Sequence, residues 1–155
     1  MSKAPVSGSR SRKYSDEGRL MEAILLLCDY AEAINGKFYI MGGGWTMCQP
    51  GLRNMSVAIR VFVPWSDANS KHKLALLLQD ESGNTVAFGN PPMEVMNEGS
   101  FEVGRPPGIP EGTELDVTLV FTFNGLALEP DKGYRWQLEI DDEPVQHCSF
   151  HTVAG

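Results

Sequence analysis

Alternating apolar and polar residues mark two segments near the C-terminus of the chain. Apolar side chains occupy every second position from Leu115 to Phe123, and the same alternation runs from Tyr134 to Ile140. Successive side chains on a strand point to opposite faces, so a period of two predicts a half-buried strand. The link between the segments contains the turn residues Gly125, Pro130 and Gly133. The pattern predicts a strand pair whose apolar face needs a second layer.

Several shorter segments before this pair also have strand patterns. Met55 to Val63 and His72 to Gln79 alternate, whereas Ala23 to Cys28 is apolar at every position. This run predicts a strand covered on both faces, with a short helix as the alternative. The next residues, Asp29 to Lys37, predict a turn centred on Asn35-Gly36, a strong hairpin signal.

The spacing of these segments predicts the fold class. Eight or nine short strands follow one another at fairly even intervals, and no long helical pattern occurs. We therefore expect an all-β fold: a single antiparallel immunoglobulin-like β-sandwich over residues 20–155. Residues 1–19 contain mostly Ser, Gly, Pro and basic side chains, which predicts a flexible N-terminal arm.

Net charge narrows the class of partner. The chain has a net charge of −7. Residues 1–19 contain five basic and two acidic side chains, a local charge of +3, which leaves −10 for the rest. An acidic body argues against nucleic acid as the main ligand, because phosphate binding needs a basic surface. We expect the arm to bind an acidic protein surface, such as that of a neighbouring copy.

The remaining composition predicts a cytoplasmic protein, or a virion component if the chain is phage-encoded. No apolar run is long enough for membrane insertion, and the N-terminus has no signal-peptide pattern. Cys28, Cys48 and Cys148 are odd in number and widely spaced, which is typical of free thiols.

Four motifs resemble an uncharacterised bacterial family, a domain of unknown function common in actinobacteria and their phages. They are Leu27-Cys28-Asp29-Tyr30-Ala31, Ile40-Met41-Gly42-Gly43-Gly44-Trp45 preceded by Gly36-Lys37, Gly104-Arg105-Pro106-Pro107-Gly108-Ile109-Pro110 and Gly133-Tyr134-Arg135-Trp136-Gln137-Leu138-Glu139-Ile140-Asp141. The resemblance covers nearly all of residues 22–153. It implies one sandwich domain and supplies no catalytic residues.

Candidate chemistry is sparse, and we predict no catalytic residues and no cofactor. His147 and His151 would lie roughly 13 Å apart on a strand, too far to share one zinc ion. Ser149 lies outside any nucleophile-elbow motif. An enzyme of unfamiliar type is one alternative. The other is a calcium-dependent ligand-binding sandwich that uses acidic loops, with these candidate ligands: Asp80, Glu81, Asp141 and Asp142.

The sequence favours a non-catalytic domain that binds a protein partner, or neighbouring copies, within a larger assembly. A phage capsid or decoration protein would fit the arm, the acidic body and the resemblance. Tryptophans beside stiff loops, together with the basic arm, are typical of protein contacts. The candidate partner-binding residues are Arg10, Arg12, Lys13, Trp45, Trp65, Arg105, Pro106 and Pro107.

Overall fold

A computed structural model describes residues 21–155. These residues form eleven strands and a 3₁₀ turn, Trp65–Asp67. The strands are β1 (Glu22–Ile34), β2 (Lys37–Gly43), β3 (Met47–Cys48), β4 (Gly51–Val63), β5 (Lys71–Asp80), β6 (Ala87–Phe88), β7 (Met93–Glu94), β8 (Met96–Glu102), β9 (Leu115–Leu128), β10 (Gly133–Ile140) and β11 (Glu143–Thr152). The fold is therefore all-β, as the pattern predicts. Within the described residues the strand count exceeds eight or nine, because β3, β6 and β7 have only two residues each, too few to show a period.

Two large sheets and one small ribbon contain these strands. The four-stranded sheet has the order β2-β1-β4-β9, and the five-stranded sheet has the order β3-β11-β10-β5-β8. All pairs in them are antiparallel except β3 with β11, which is parallel. The ribbon is formed by β6 and β7.

The two large sheets share one hydrophobic core. Val57 and Ile59 of the first sheet and Leu76 and Leu138 of the second belong to the same cluster, and all four are fully buried. Full burial of a side chain of this size stabilises the fold by about 1.5–3 kcal/mol. The core therefore holds the two sheets together.

The prediction that the two alternating C-terminal segments pair with each other is wrong. Both segments are strands, but β9 pairs with β4, whereas β10 lies between β5 and β11. They belong to different sheets, and the link that joins them passes from one sheet to the other. Just before β10, the backbone N–H of Glu129 donates a 3.0 Å hydrogen bond to the Tyr134 hydroxyl. A period of two indicates which residues share a face, but not which strand lies alongside.

The first strand also differs from its prediction. β1 extends to Ile34, so the turn predicted over residues 29–37 reduces to Asn35-Gly36. Over the first half of β1, Ala23 and Leu27 are buried, whereas Ile24 is 54% exposed. The apolar run is therefore not covered on both faces.

No helix among residues 21–155 has the length and apolar character needed to cross a membrane.

Candidate interaction surface

A two-residue turn sets the geometry of the hairpin formed by the second half of β1 and by β2. Asn35 and Gly36 both have positive φ angles, 52° and 74°, as a type I′ turn requires. The turn aligns Ile34 with Lys37, and the register continues through the pairs Glu32 with Tyr39 and Tyr30 with Met41. Directly opposed residues share a face, so this register fixes both faces of the hairpin.

One face of this hairpin packs on the four-stranded sheet. Ala31 forms a buried cluster with Cys28 and Ala58, and Phe38 and Val120 pack against this cluster. β1 pairs with β4 only as far as Cys28, after which the hairpin continues with β2 as its sole partner. The hairpin is thus anchored by its inner face.

The opposite face of the hairpin is exposed and largely apolar. Tyr30 is 45% exposed, Ile34 46%, Tyr39 55% and Met41 68%. These residues, together with Glu32 and Lys37, form a surface that we name the hairpin face. Half of the large exposed hydrophobic side chains of the described chain lie on this hairpin: Tyr30, Ile34, Tyr39, Ile40 and Met41.

One hydrogen bond orders the polar part of the hairpin face. The Tyr30 hydroxyl donates to the Glu32 carboxylate at 2.7 Å. This bond raises the pKa of Tyr30, because ionisation of the hydroxyl would remove the donor and place two negative charges side by side. The Tyr30 hydroxyl is therefore tied to a side chain two residues further along the same strand.

Two of the sequence-predicted binding residues do come together. The Arg105 guanidinium lies 4.5 Å from the centre of the Trp65 ring, and its Nη2 donates a 2.6 Å hydrogen bond to the Trp65 carbonyl. Pro106 and Pro107 follow and are exposed. Arg105 is engaged within the chain and Trp65 packs partly against the hydrophobic core, so this cluster presents chiefly its prolines.

Trp45 lies at a different end of the molecule. It packs edge-on against Phe150, with ring centroids 5.7 Å apart, and lines a groove of about 660 Å³ with Asn54 and Met55, near the start of β4. Trp65 follows the end of the same strand. Residues 55 to 63 span about 26 Å along a strand. The two tryptophans therefore do not share one binding surface.

The four predicted calcium ligands lie at opposite ends of β10. Asp80 pairs with Tyr134 at the start of β10, whereas Asp141 and Asp142 follow the end of that strand. Glu81 lies beside Gly133, at the Asp80 end. Within residues 21–155 no three His, Cys, Asp or Glu side chains are grouped so that they could hold a metal ion.

Three of these four carboxylates take part in bonds within the chain. Asp80 accepts hydrogen bonds from two backbone N–H groups of the following turn. Asp141 lies 2.8 Å from Nδ1 of the buried His72 and accepts a bond from the Lys73 backbone. Asp142 forms an exposed ion pair with the Lys73 ammonium group. These contacts stabilise turns.

The cysteines show no sign of activation. Burial raises the pKa of Cys148 to about 12 and also raises the pKa of Cys28 and of Cys48. A reactive thiol needs a lowered pKa, since the thiolate is the nucleophile. Three of the candidate partner-binding residues belong to the predicted arm and lie outside the described residues: Arg10, Arg12 and Lys13.

The hairpin face was missed by sequence reasoning, although one signal for it exists. Residues 38–41 form an unbroken apolar run, so both faces of this strand are apolar. Such a strand is either covered on both sides or exposes one apolar face. The adjacent Asn35-Gly36 turn places it in a hairpin, where only one side is covered by the sheet.

The architecture and this surface define a class: an all-β domain with an exposed apolar hairpin. A family model described as a family of unknown function, DUF6941, matches residues 23–153. The chain belongs to this family. Searches of curated proteins and of solved structures gave no match.

Proposed function

We propose that this chain is a non-catalytic protein-interaction domain that works as a structural or accessory component of a larger assembly. The observation that carries this proposal is the hairpin face. Soluble proteins expose few contiguous apolar patches, and those they expose often mark interaction sites. Tyr and Met, which are enriched at protein interfaces, provide the most exposed apolar side chains of this face, Tyr39 and Met41.

The packing of the hairpin's inner face on the sheet also favours a role in protein interaction. Its inner face is fixed by Ala31 and Phe38, so the outer side chains are presented on a formed strand pair. A partner that covers them would not have to order a loop first, and association would cost less conformational entropy. A single apolar residue on a flexible loop would offer neither advantage.

We further infer that the fold is an immunoglobulin-like sandwich. The core strands β1-β4-β9 and β8-β5-β10-β11 follow the A-B-E and C′-C-F-G orders of immunoglobulin-like domains. Tyr134, near the start of β10, accepts a hydrogen bond from the backbone five residues earlier, as in the tyrosine corner of that fold. This architecture serves binding in many unrelated proteins, so it is compatible with the proposed role.

A phage capsid or decoration protein is the kind of assembly component we propose. Charge supports a role for the N-terminal segment in such an assembly: residues 1–19 have a charge of +3, and the remaining chain has −10. Opposite charges on neighbouring copies would steer them together, and salt would weaken the attraction.

Affinity purification from the native source tests the proposal. A tagged chain with Tyr39→Ser and Met41→Ser should lose the proteins that co-purify with the unmodified chain. The matched control replaces Leu52 and Met93, which are 71% and 74% exposed and lie outside the hairpin. The control should retain those proteins. Equal retention by both variants would contradict the role of the hairpin face.

A further inference from the structure

β2 is an edge strand with hydrogen-bonding groups available on its outer side. Within residues 21–155 it pairs only with β1. Ile34 and Lys37 flank the two-residue turn and form a hydrogen-bonded pair, and such pairs alternate along an antiparallel ladder. The main-chain N–H and C=O groups of Phe38 and Ile40 therefore point away from β1.

We propose that β2 pairs in antiparallel fashion with β2 of a second copy of this chain, about a two-fold axis at Tyr39. This inference rests on the proposed function, because it assigns a partner to the hairpin face. Phe38 then faces Ile40 of the second copy, and Ile40 faces Phe38. Each of these pairs exchanges two main-chain hydrogen bonds, which uses all the outward groups of the regular part of β2.

The side chains of the hairpin face suit this register. Tyr39 comes to lie opposite Tyr39 of the second copy at a position without main-chain hydrogen bonds, where cross-strand side chains are closest. Aromatic pairs at such positions stabilise a sheet. Met41 comes to lie opposite Lys37, whose aliphatic stem can pack on it. Each copy therefore covers the two most exposed apolar side chains of the other hairpin face.

The charges on the hairpin face are compatible with a second copy as the occupant. The hairpin face carries one acid, Glu32, and one base, Lys37. The two-fold axis places each Lys37 opposite Met41 of the other copy and keeps the two lysines, and the two Glu32 side chains, apart, so no like charges face each other. Edge strands of monomeric proteins are commonly blunted by Pro, bulges or inward-pointing charges. Lys37, at the first position, is the only such residue in β2.

The size of this contact sets its strength. One strand pair and one row of side chains form an interface at the small end, below about 1,200 Å² in total, where association is weak and reversible. The two four-stranded sheets would join into one continuous sheet. The inference therefore predicts a concentration-dependent dimer.

Sedimentation of the purified full chain over a range of concentrations tests the dimer. The unmodified chain should pass from monomer to dimer, and Tyr39→Lys should remain monomeric because two ammonium groups would face each other. Met47→Lys is the control, since Met47 is 56% exposed and Tyr39 is 55%. This control should dimerise like the unmodified chain. A chain that stays monomeric at every concentration would overturn the inference.

Charge reversal tests the register. Tyr39→Glu alone should be monomeric, and an equimolar mixture with Tyr39→Lys should form a heterodimer. A Tyr39→Cys variant provides a check independent of charge, since opposed Cα atoms at such a position are about 4.5 Å apart, within disulfide range. Mild oxidation should link two copies through it. Failure of both the mixture to associate and the cysteines to link would overturn the pairing at Tyr39.

The inference and the proposed function fail in different ways. A monomeric purified chain whose co-purifying proteins still depend on Tyr39 and Met41 would overturn the second copy as partner and leave the hairpin face as an interface. A dimer that survives Tyr39→Lys but not Met47→Lys would overturn the pairing through β2, whereas co-purifying proteins retained equally by the hairpin and control variants would overturn the proposed function.

Discussion

The ring of Phe123 on β9 lies 4.4 Å from the ring of Trp136 on β10, with the two planes tilted by 31°. This contact joins the two large sheets, because β9 belongs to the first and β10 to the second. Trp136 is fully buried. The pair therefore contributes to the packing that holds the sheets together.

Replacement of Trp136 by Ala should destabilise the protein by about 3–5 kcal/mol, since a large-to-small change in a packed core leaves a cavity. Met93→Ala, at a position that is 74% exposed, should change stability by less than about 0.5 kcal/mol. Urea denaturation of the two variants measures both. Similar losses would mean that Trp136 is not part of the core.

Two adjacent carboxylates should differ in their effect on stability. Asp141→Asn should cost about 1.5–3 kcal/mol, because Asp141 lies 2.8 Å from the ring nitrogen of the buried His72 and accepts a backbone bond. Asp142→Asn should cost less than about 1 kcal/mol, since its ion pair with Lys73 is exposed. Both residues have positive φ angles, which Asn tolerates well, so backbone strain is matched. Thermal denaturation that ranks the two variants in reverse would refute this assignment.

Alkaline pH should weaken the fold through its buried thiols. The pKa of Cys148 is raised to about 12 in the folded chain, whereas an unfolded thiol titrates near 8.5. A raised folded pKa favours the protonated form. The protonated Cys148 thiol therefore contributes its full stabilisation of the folded chain below about pH 8.5, and this stabilisation is lost as the pH rises toward 12.

Alkylation at pH 8 provides the measurement for this thiol. Iodoacetamide should modify Cys148 much more slowly in the native chain than in urea, with mass spectrometry to assign the site. Cys28, which is fully buried, should show the same protection. Native and unfolded chains that react at equal rates would show that these thiols are accessible.

Strands whose apolar residues alternate could be predicted from the sequence alone. Met55 to Val63 lies within β4, and Tyr134 to Ile140 within β10, because one face of each packs on the core. The Asn35-Gly36 turn was also predictable, since both of its positions need positive φ angles that these residues tolerate. Local patterns of this kind depend on a few neighbouring residues.

Sheet partners and the interaction surface were not predictable in the same way. The alternation in β9 and β10 is the same whether they pair or face each other across a core. The distance between Trp45 and Trp65 depends on β4 running between them, which no local motif reveals. The hairpin face needs two facts together: an apolar strand, and a sheet that covers only one of its sides.

Methionine oxidation of the assembly isolated from its native source tests the central claim most directly. Met41 on the hairpin face is 68% exposed, and Met93 outside it is 74% exposed, so both should react readily with peroxide in the dilute purified chain. In the assembly, Met41 should be strongly protected while Met93 remains reactive. Oxidation of Met41 in the assembly at the rate seen in the dilute chain would contradict the claim that the hairpin face is an interface.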